Sequence, residues 1–280
     1  MLSAKAPYPA GSGVLRGAWP SMRGRTTEGA YMVQATEADA FGTALRRLQG
    51  AQKTAKGVSL YSRYLNRPLG GVFAAAAYRA GLGPNQVTLL SAGCSFAGVA
   101  GVALVRPSWA LGAAVWAALF VGFALDSADG QLARLRGGGS PAGEWLDHVV
   151  DCAKITGLHS AVLISFYRFA ELPHPSWLLL PLGFQLVAVL IFFGGLLTDK
   201  LRPRPDHRAA APPPDAAPPS TLRAVALLPV DHGVFCAVFL LLGAPGLFRA
   251  GYAALFACYA LFLAAFAVKW FRELSAPPPG

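Results

Sequence analysis

Six apolar runs, at roughly 87–105, 108–125, 145–167, 176–198, 230–248 and 251–270, set what this chain can fold into. As a helix, each is long enough to cross about 30 Å of hydrocarbon. The expected fold is all-α: a polytopic membrane protein with six transmembrane helices and an N-terminal interfacial helix. The fifth run is interrupted near Gly243, Ala244 and Pro245, and irregular backbone at that depth needs shielding by neighbouring helices.

Composition agrees with that reading. Over half of the 280 residues are apolar, 14% are charged, and the mean hydropathy is +0.45. A net charge of +10 raises nucleic acid as a partner. The basic residues, however, lie between the apolar runs and the aromatics lie inside them, which points to a membrane surface and excludes nucleic acid. If the N-terminus is internal, twenty of the 24 Lys and Arg fall on the inner side and three (Arg106, Arg168 and Arg249) on the outer side. That asymmetry predicts a cytoplasmic N-terminus in a cell or inner membrane. Cys94, Cys152, Cys236 and Cys258 sit in apolar segments without metal spacing and read as free core thiols. No cleavable leader is expected, so the first span directs insertion.

The expected organisation runs in order along the chain. Residues 1–56 form a cytoplasmic tail, disordered over 1–35 and surface-helical over 36–56, with Thr36 as cap and Asp39 in the first turn. Residues 57–83 carry Arg63, Arg67 and Arg79 among aromatics and alanines, as an interfacial amphipathic helix does. Residues 84–272 hold the six spans, with a Pro-rich cytoplasmic loop at 199–223, and 273–280 form a second tail.

Four of only fourteen acidic residues crowd one stretch, LDSADGQLARLRGGGSPAGEWLDHVVD. Asp126 closes span two, and Asp147 and Asp151 open span three. Asp126 and Asp129 are i,i+3, and Asp147 and Asp151 are i,i+4, so each pair shares a helix face. Like charges that close repel unless a cation stands between them, and a hard divalent ion with oxygen ligands suits them.

The pattern D-x2-D-G-x2-A-R-x8-G-x3-D-x3-D resembles the signature of the CDP-alcohol phosphotransferase (CDP-alcohol phosphatidyltransferase) family. Eight specified residues over 26 positions match: Asp126, Asp129, Gly130, Ala133, Arg134, Gly143, Asp147 and Asp151. The likeness extends to Pro84, Asn85 and Thr88 and covers about 57–200. It implies an integral membrane enzyme of phospholipid biosynthesis that transfers a substituted phosphate to an alcohol with release of CMP. Its implied ligands for two ions, Mg²⁺ or Mn²⁺, are Asp126, Asp129, Asp147 and Asp151, with Asp151 also the general base. Gly130, Arg134, Asn85 and Thr88 would bind the nucleotide, with Ala133 and Gly143 as close-packing positions.

The resemblance favours CDP-diacylglycerol as donor. A CDP-polyol such as CDP-inositol, with a polyol-phosphate or lipid acceptor, is the alternative. The segment Ser62–Pro68 resembles the interfacial helix of members that handle inositol phosphates. Against that, members with phosphorylated acceptors carry several basic residues in later spans, where this chain offers Lys154, His232 and Lys200. Lys154 and His232 are the acceptor-site candidates. Lys154 equally suits neutralisation of the aspartates, Asp231 and His232 a structural pair, and Asn85 with Thr88 an ordinary helix start. His148, His159, His174 and His207 show no metal spacing. A homodimer is an open alternative. A small ion channel or carrier is the rival from another class. It needs polar residues through the bilayer, which spans four and six lack between their ends.

Overall fold

The computed structural model describes residues 59–202 and 221–275, which are helical with no strand among them. The expected tail at 1–56, the loop residues 203–220 and the last residues 276–280 lie outside the described part.

A π-helical turn at Ser62–Asn66 leads into α1, Arg67–Arg79. Gly81, at φ 72°, ends it: the Leu82 N–H bonds to the Ala77 carbonyl at 3.0 Å, a reversal that favours a residue without Cβ. Pro84 opens α2 (Pro84–Leu104), whose start is closed by the Gly83 N–H on Gln86 Oε1 at 2.7 Å. Helix α3 (Trp109–Leu135) begins at Ser108, whose Oγ accepts the Leu111 N–H. It runs beyond its apolar stretch and stops at Gly137 and Gly138, at φ 94° and 132°. The Gly138 N–H returns to the Ala133 carbonyl at 2.9 Å. Ser140 then caps α4 (Pro141–Phe169) through the Gly143 N–H. A five-residue connection thus joins α3 to α4, and both pack on α2.

After a 3-10 turn at Pro175–Leu178 comes α5, Leu179–Leu201. The fifth span is assembled from α6 (Thr221–Ala226), a 3-10 turn at Leu228–Val230, α7 (His232–Ala237) and a 3-10 continuation, Val238–Gly243. Helix α8, Pro245–Ser275, closes the chain. Five helices are long and apolar enough to cross a bilayer, and there are six if the bent fifth segment is taken as one span.

The interruption of the fifth span lies elsewhere than expected. The chain bends by 47° at Asp231, where the backbone leaves the helical region so that Asp231 can cap α7 through the Gly233 N–H at 2.8 Å. Gly243 and Ala244 end that span rather than interrupt it, and Pro245 starts α8. Proline is well tolerated in a first helical turn, where its missing N–H costs nothing.

The main core joins α2, α3, α4, α5, the fifth segment and α8. Inside it, His159 of α4 and the Tyr252 hydroxyl of α8 share a 2.5 Å hydrogen bond among Phe184, Phe235 and Phe248. Leu190, Phe193, Leu261 and Phe271 point outward, as lipid-facing side chains do.

Helix α1 is docked as well as amphipathic. Its small-residue face, from Gly70 to Ala77, is buried, and Ala74 and Ala77 pack with Ala128 and Leu132 of α3. Gln131 Nε2 donates to the Arg67 carbonyl at 3.0 Å. A Cβ at Gly70 would stand 2.7 Å from Ser127 Oγ and 2.8 Å from Gln131 Nε2. Gly70→Val therefore pushes α1 off α3. Overpacking of this kind costs about 1–3 kcal/mol, so the thermal unfolding midpoint should fall by several degrees. An unchanged midpoint would mean that α1 rides loosely on α3.

Candidate metal centre and active site

The last three turns of α3 and the first turns of α4 carry the aspartates. Both helices pack against α2, which brings their carboxylates together across a short connection. Oxygens of Asp126, Asp129 and Asp147 all lie within 4.8 Å of one another. Two unit charges 4 Å apart repel by about 4 kcal/mol at an effective dielectric of about 20, so three carboxylates need compensation.

The protein provides some of it. Thr88 Oγ1 of α2 donates to Asp129 Oδ2 at 2.6 Å, and Asp129 is 6% exposed. The Lys154 ammonium bonds to Asp126, to Asp151 Oδ1 at 3.2 Å and to Ser91 Oγ at 3.0 Å. The Ser91 hydroxyl donates to the Gly122 carbonyl at 2.8 Å, so its lone pairs are free to accept from the lysine. Asp147 accepts no hydrogen bond among the described residues, and the His148 ring stands 4.0 Å away. Asp129, held by a neutral hydroxyl, and Asp147 thus both lack a counter-charge at contact distance. A hard, oxygen-only donor set with surplus negative charge fits a divalent cation such as Mg²⁺ or Mn²⁺.

Of the four aspartates expected as ligands, the structure groups three. Asp151 stands beside that group, one helical turn from Asp147, and is held by Lys154.

Next to the carboxylates opens a cavity of about 860 Å³. Asn85, Thr88, Asp129, Gly130, Ala133, Arg134, Gly143 and Asp147 all line it, together with the Gly138–Pro141 turn. A Cβ at Gly130 would meet only Arg134 Nη1, at 3.6 Å, so the glycine leaves wall surface open rather than filling a packing gap. Gly143 is different. A Cβ there would come within 2.9 Å of Asn85 Oδ1, so the glycine lets the starts of α2 and α4 close together. Arg134 Nε is buried without a partner among the described residues, a donor waiting for an acceptor. Thr88 serves Asp129 directly, while Asn85 is exposed at the cavity rim.

His232 belongs to an aromatic layer, edge-on to Phe123 with ring centroids 4.9 Å apart. Tyr61 stacks on the same Phe123, and burial, with smaller contributions from Cys236 and Asp231, pushes its phenol up to about 12. Asp231 accepts from the hydroxyls of Ser59 and Ser62 and from the Gly233 N–H. It ties the segment before α1 to the bend of the fifth span and is not paired with His232. Neither the Ser59–Ser62–Asp231 contact nor Ser91 was picked out from sequence. Ser91 lies one turn beyond Thr88 and one turn before Ser95, and this run of hydroxyls along one face of a span is the signal that could have found it.

The profile of the CDP-alcohol phosphatidyltransferase family matches residues 82–269. The match begins later than the likeness read from sequence and runs through the final spans. Three crystal structures of Mycobacterium tuberculosis phosphatidylinositol phosphate synthase (PgsA1) share the fold. The form with CDP-DAG bound is 20% identical, with a TM-score of 0.52 over 77% of this chain and 98% of that one. The complex with manganese and citrate is 18% identical, with a TM-score of 0.52 over 74% and 91%. The apo form is 19% identical, with a TM-score of 0.51 over 74% and 99%. No curated protein sequence matches the chain.

Proposed function

The chain belongs to the CDP-alcohol phosphatidyltransferase family, and from that premise we propose that it transfers a phosphatidyl group from CDP-diacylglycerol to an alcohol, with release of CMP. The observation that carries this reading is the convergence of Asp126, Asp129 and Asp147 beside a cavity into which Gly130 and Arg134 open. The fold shared with a protein that binds CDP-DAG supports the choice of donor. A channel or carrier has no use for a nucleotide-sized cavity at the mouth of the carboxylate cluster.

In this reading Asp126, Asp129 and Asp147 would hold Mg²⁺ or Mn²⁺, and Asp151 works beside them as the base. The bound ions supply charge neutralisation of the diphosphate oxygens. Arg134 directs its unpartnered guanidinium N–H to a phosphate oxygen of the donor. Gly130 lets the nucleotide approach the backbone of α3, and Asn85 meets it from the start of α2. Thr88 keeps Asp129 aimed inward. The acceptor hydroxyl attacks the phosphorus distal to cytidine, a new O–P bond forms, and the bond from that phosphorus to the CMP oxygen breaks. Asp151 takes the hydroxyl proton. Lys154 is the counter-charge that Asp126 and Asp151 share, which leaves it occupied rather than available to an acceptor phosphate.

Purified protein with Mg²⁺, CDP-diacylglycerol and a panel of alcohols should release CMP with at least one acceptor. Release from a CDP-polyol but never from CDP-diacylglycerol would replace the donor.

The excess of Lys and Arg on one side further supports a cytoplasmic active site. A cysteine introduced within 204–220 should react with an impermeant maleimide only after the cytoplasmic side is opened. Labelling in intact cells would reverse the orientation.

A further inference from the structure

A second cavity, of about 150 Å³, lies at the opposite end of the bundle from the aspartates. Ser165 on its wall is fourteen residues along α4 from Asp151, about 21 Å at 1.5 Å per residue. The two sites therefore face opposite leaflets. The ends of α2 and α4 and the start of α8 frame this cavity, and Arg106, Ser165, Phe166, Phe169, Phe248 and Arg249 line it.

Its chemistry is lopsided. Ser165 is 3% exposed overall and lines the cavity, where its hydroxyl can donate. Arg106 forms neither a hydrogen bond nor an ion pair among those residues. Arg249 places one N–H on the Glu171 carbonyl at 3.0 Å, which fixes its guanidinium at the rim, and no carboxylate pairs with either arginine. The first-turn N–H groups of α8, beginning at Pro245, add partial positive charge at the same place. Beneath these donors stands a wall of three phenylalanines.

We propose that this cavity binds the phosphate of an anionic phospholipid from the leaflet opposite the aspartate site. Arg106 and Arg249 grip the phosphate oxygens, Ser165 donates its hydroxyl, and the first carbons of an acyl chain lie on Phe166, Phe169 and Phe248. Two guanidinium groups without a carboxylate favour a net negative headgroup over a zwitterionic one. The apolar wall favours a lipid over a free anion.

Native mass spectrometry of the full-length protein in detergent tests this, with short-chain phosphatidylglycerol, phosphatidylcholine and inorganic phosphate as separate probes. The wild type should retain one phosphatidylglycerol that Arg249→Gln holds about tenfold less tightly, the loss expected for one charge-assisted contact. Arg106→Gln should weaken it similarly. Because that side chain is exposed and has no internal partner, the variant guards against a folding artefact. CMP release should stay at the wild-type rate in both variants. Equal phosphatidylglycerol affinity in wild type and both variants would overturn the proposal. So would phosphatidylcholine bound as tightly as phosphatidylglycerol. Inorganic phosphate retained with the same arginine dependence would overturn the lipid assignment.

Discussion

Asp129→Asn should abolish CMP release while leaving the protein folded. Asp129 is the most buried of the four aspartates, and its carboxylate is one of three that converge. Asparagine keeps the shape and still accepts the Thr88 hydroxyl, which the carboxylate now receives at 2.6 Å. What disappears is one negative charge among three. In the metal-free protein that loss relieves repulsion, so the unfolding midpoint should hold or rise. Charge neutralisation by a bound metal is worth several kcal/mol to the reaction, and each 1.36 kcal/mol is tenfold in rate. Turnover should therefore fall by about 10³-fold or more. The rise in midpoint that Mg²⁺ gives the wild type should shrink in parallel. Full activity of the variant at saturating donor would sink the metal assignment.

Asp151→Asn should cut turnover by about 10²–10⁴-fold, the usual contribution of a general base, with little change in metal affinity. The geometry behind this is the separation of Asp151 from the three grouped carboxylates and its attachment to Lys154 at 3.2 Å. Asp126→Asn should do the reverse, weakening metal binding and recovering part of its activity at raised metal. Asp126 sits in the group and shares Lys154 with Asp151. Metal titrations of the two variants followed by CMP release decide the matter. If their curves coincide, Asp151 is a ligand like the others and the separate base role should be dropped.

The pairs Asp126–Asp129 and Asp147–Asp151 were legible as helix faces because i,i+3 and i,i+4 spacing is local geometry. The apolar runs were legible as spans because a lipid environment leaves the backbone almost no choice but helix. Span limits were less legible. Helix α3 continues to Leu135 and α4 starts at Pro141, since Gly137, Gly138 and Ser140 set those ends rather than hydropathy. The bend at Asp231 was missed because Gly243-Ala244-Pro245 is the stronger local breaker, whereas an aspartate capping a new helix looks like an ordinary polar residue until Ser59 and Ser62 are seen to reach it across the fold.

What the sequence by itself determined is the helical membrane architecture, a consequence of composition, and the pairing of the aspartates on two helix faces, a consequence of short-range spacing; the family showed through a motif resemblance. The tertiary structure alone decided which three carboxylates meet, that Lys154 is occupied by Asp126, Asp151 and Ser91, that α1 is docked on α3, and that Ser165, Arg106 and Arg249 share a cavity. Those contacts join residues far apart in the chain. Their distances depend on how helices turn and pack against one another, which no local period encodes.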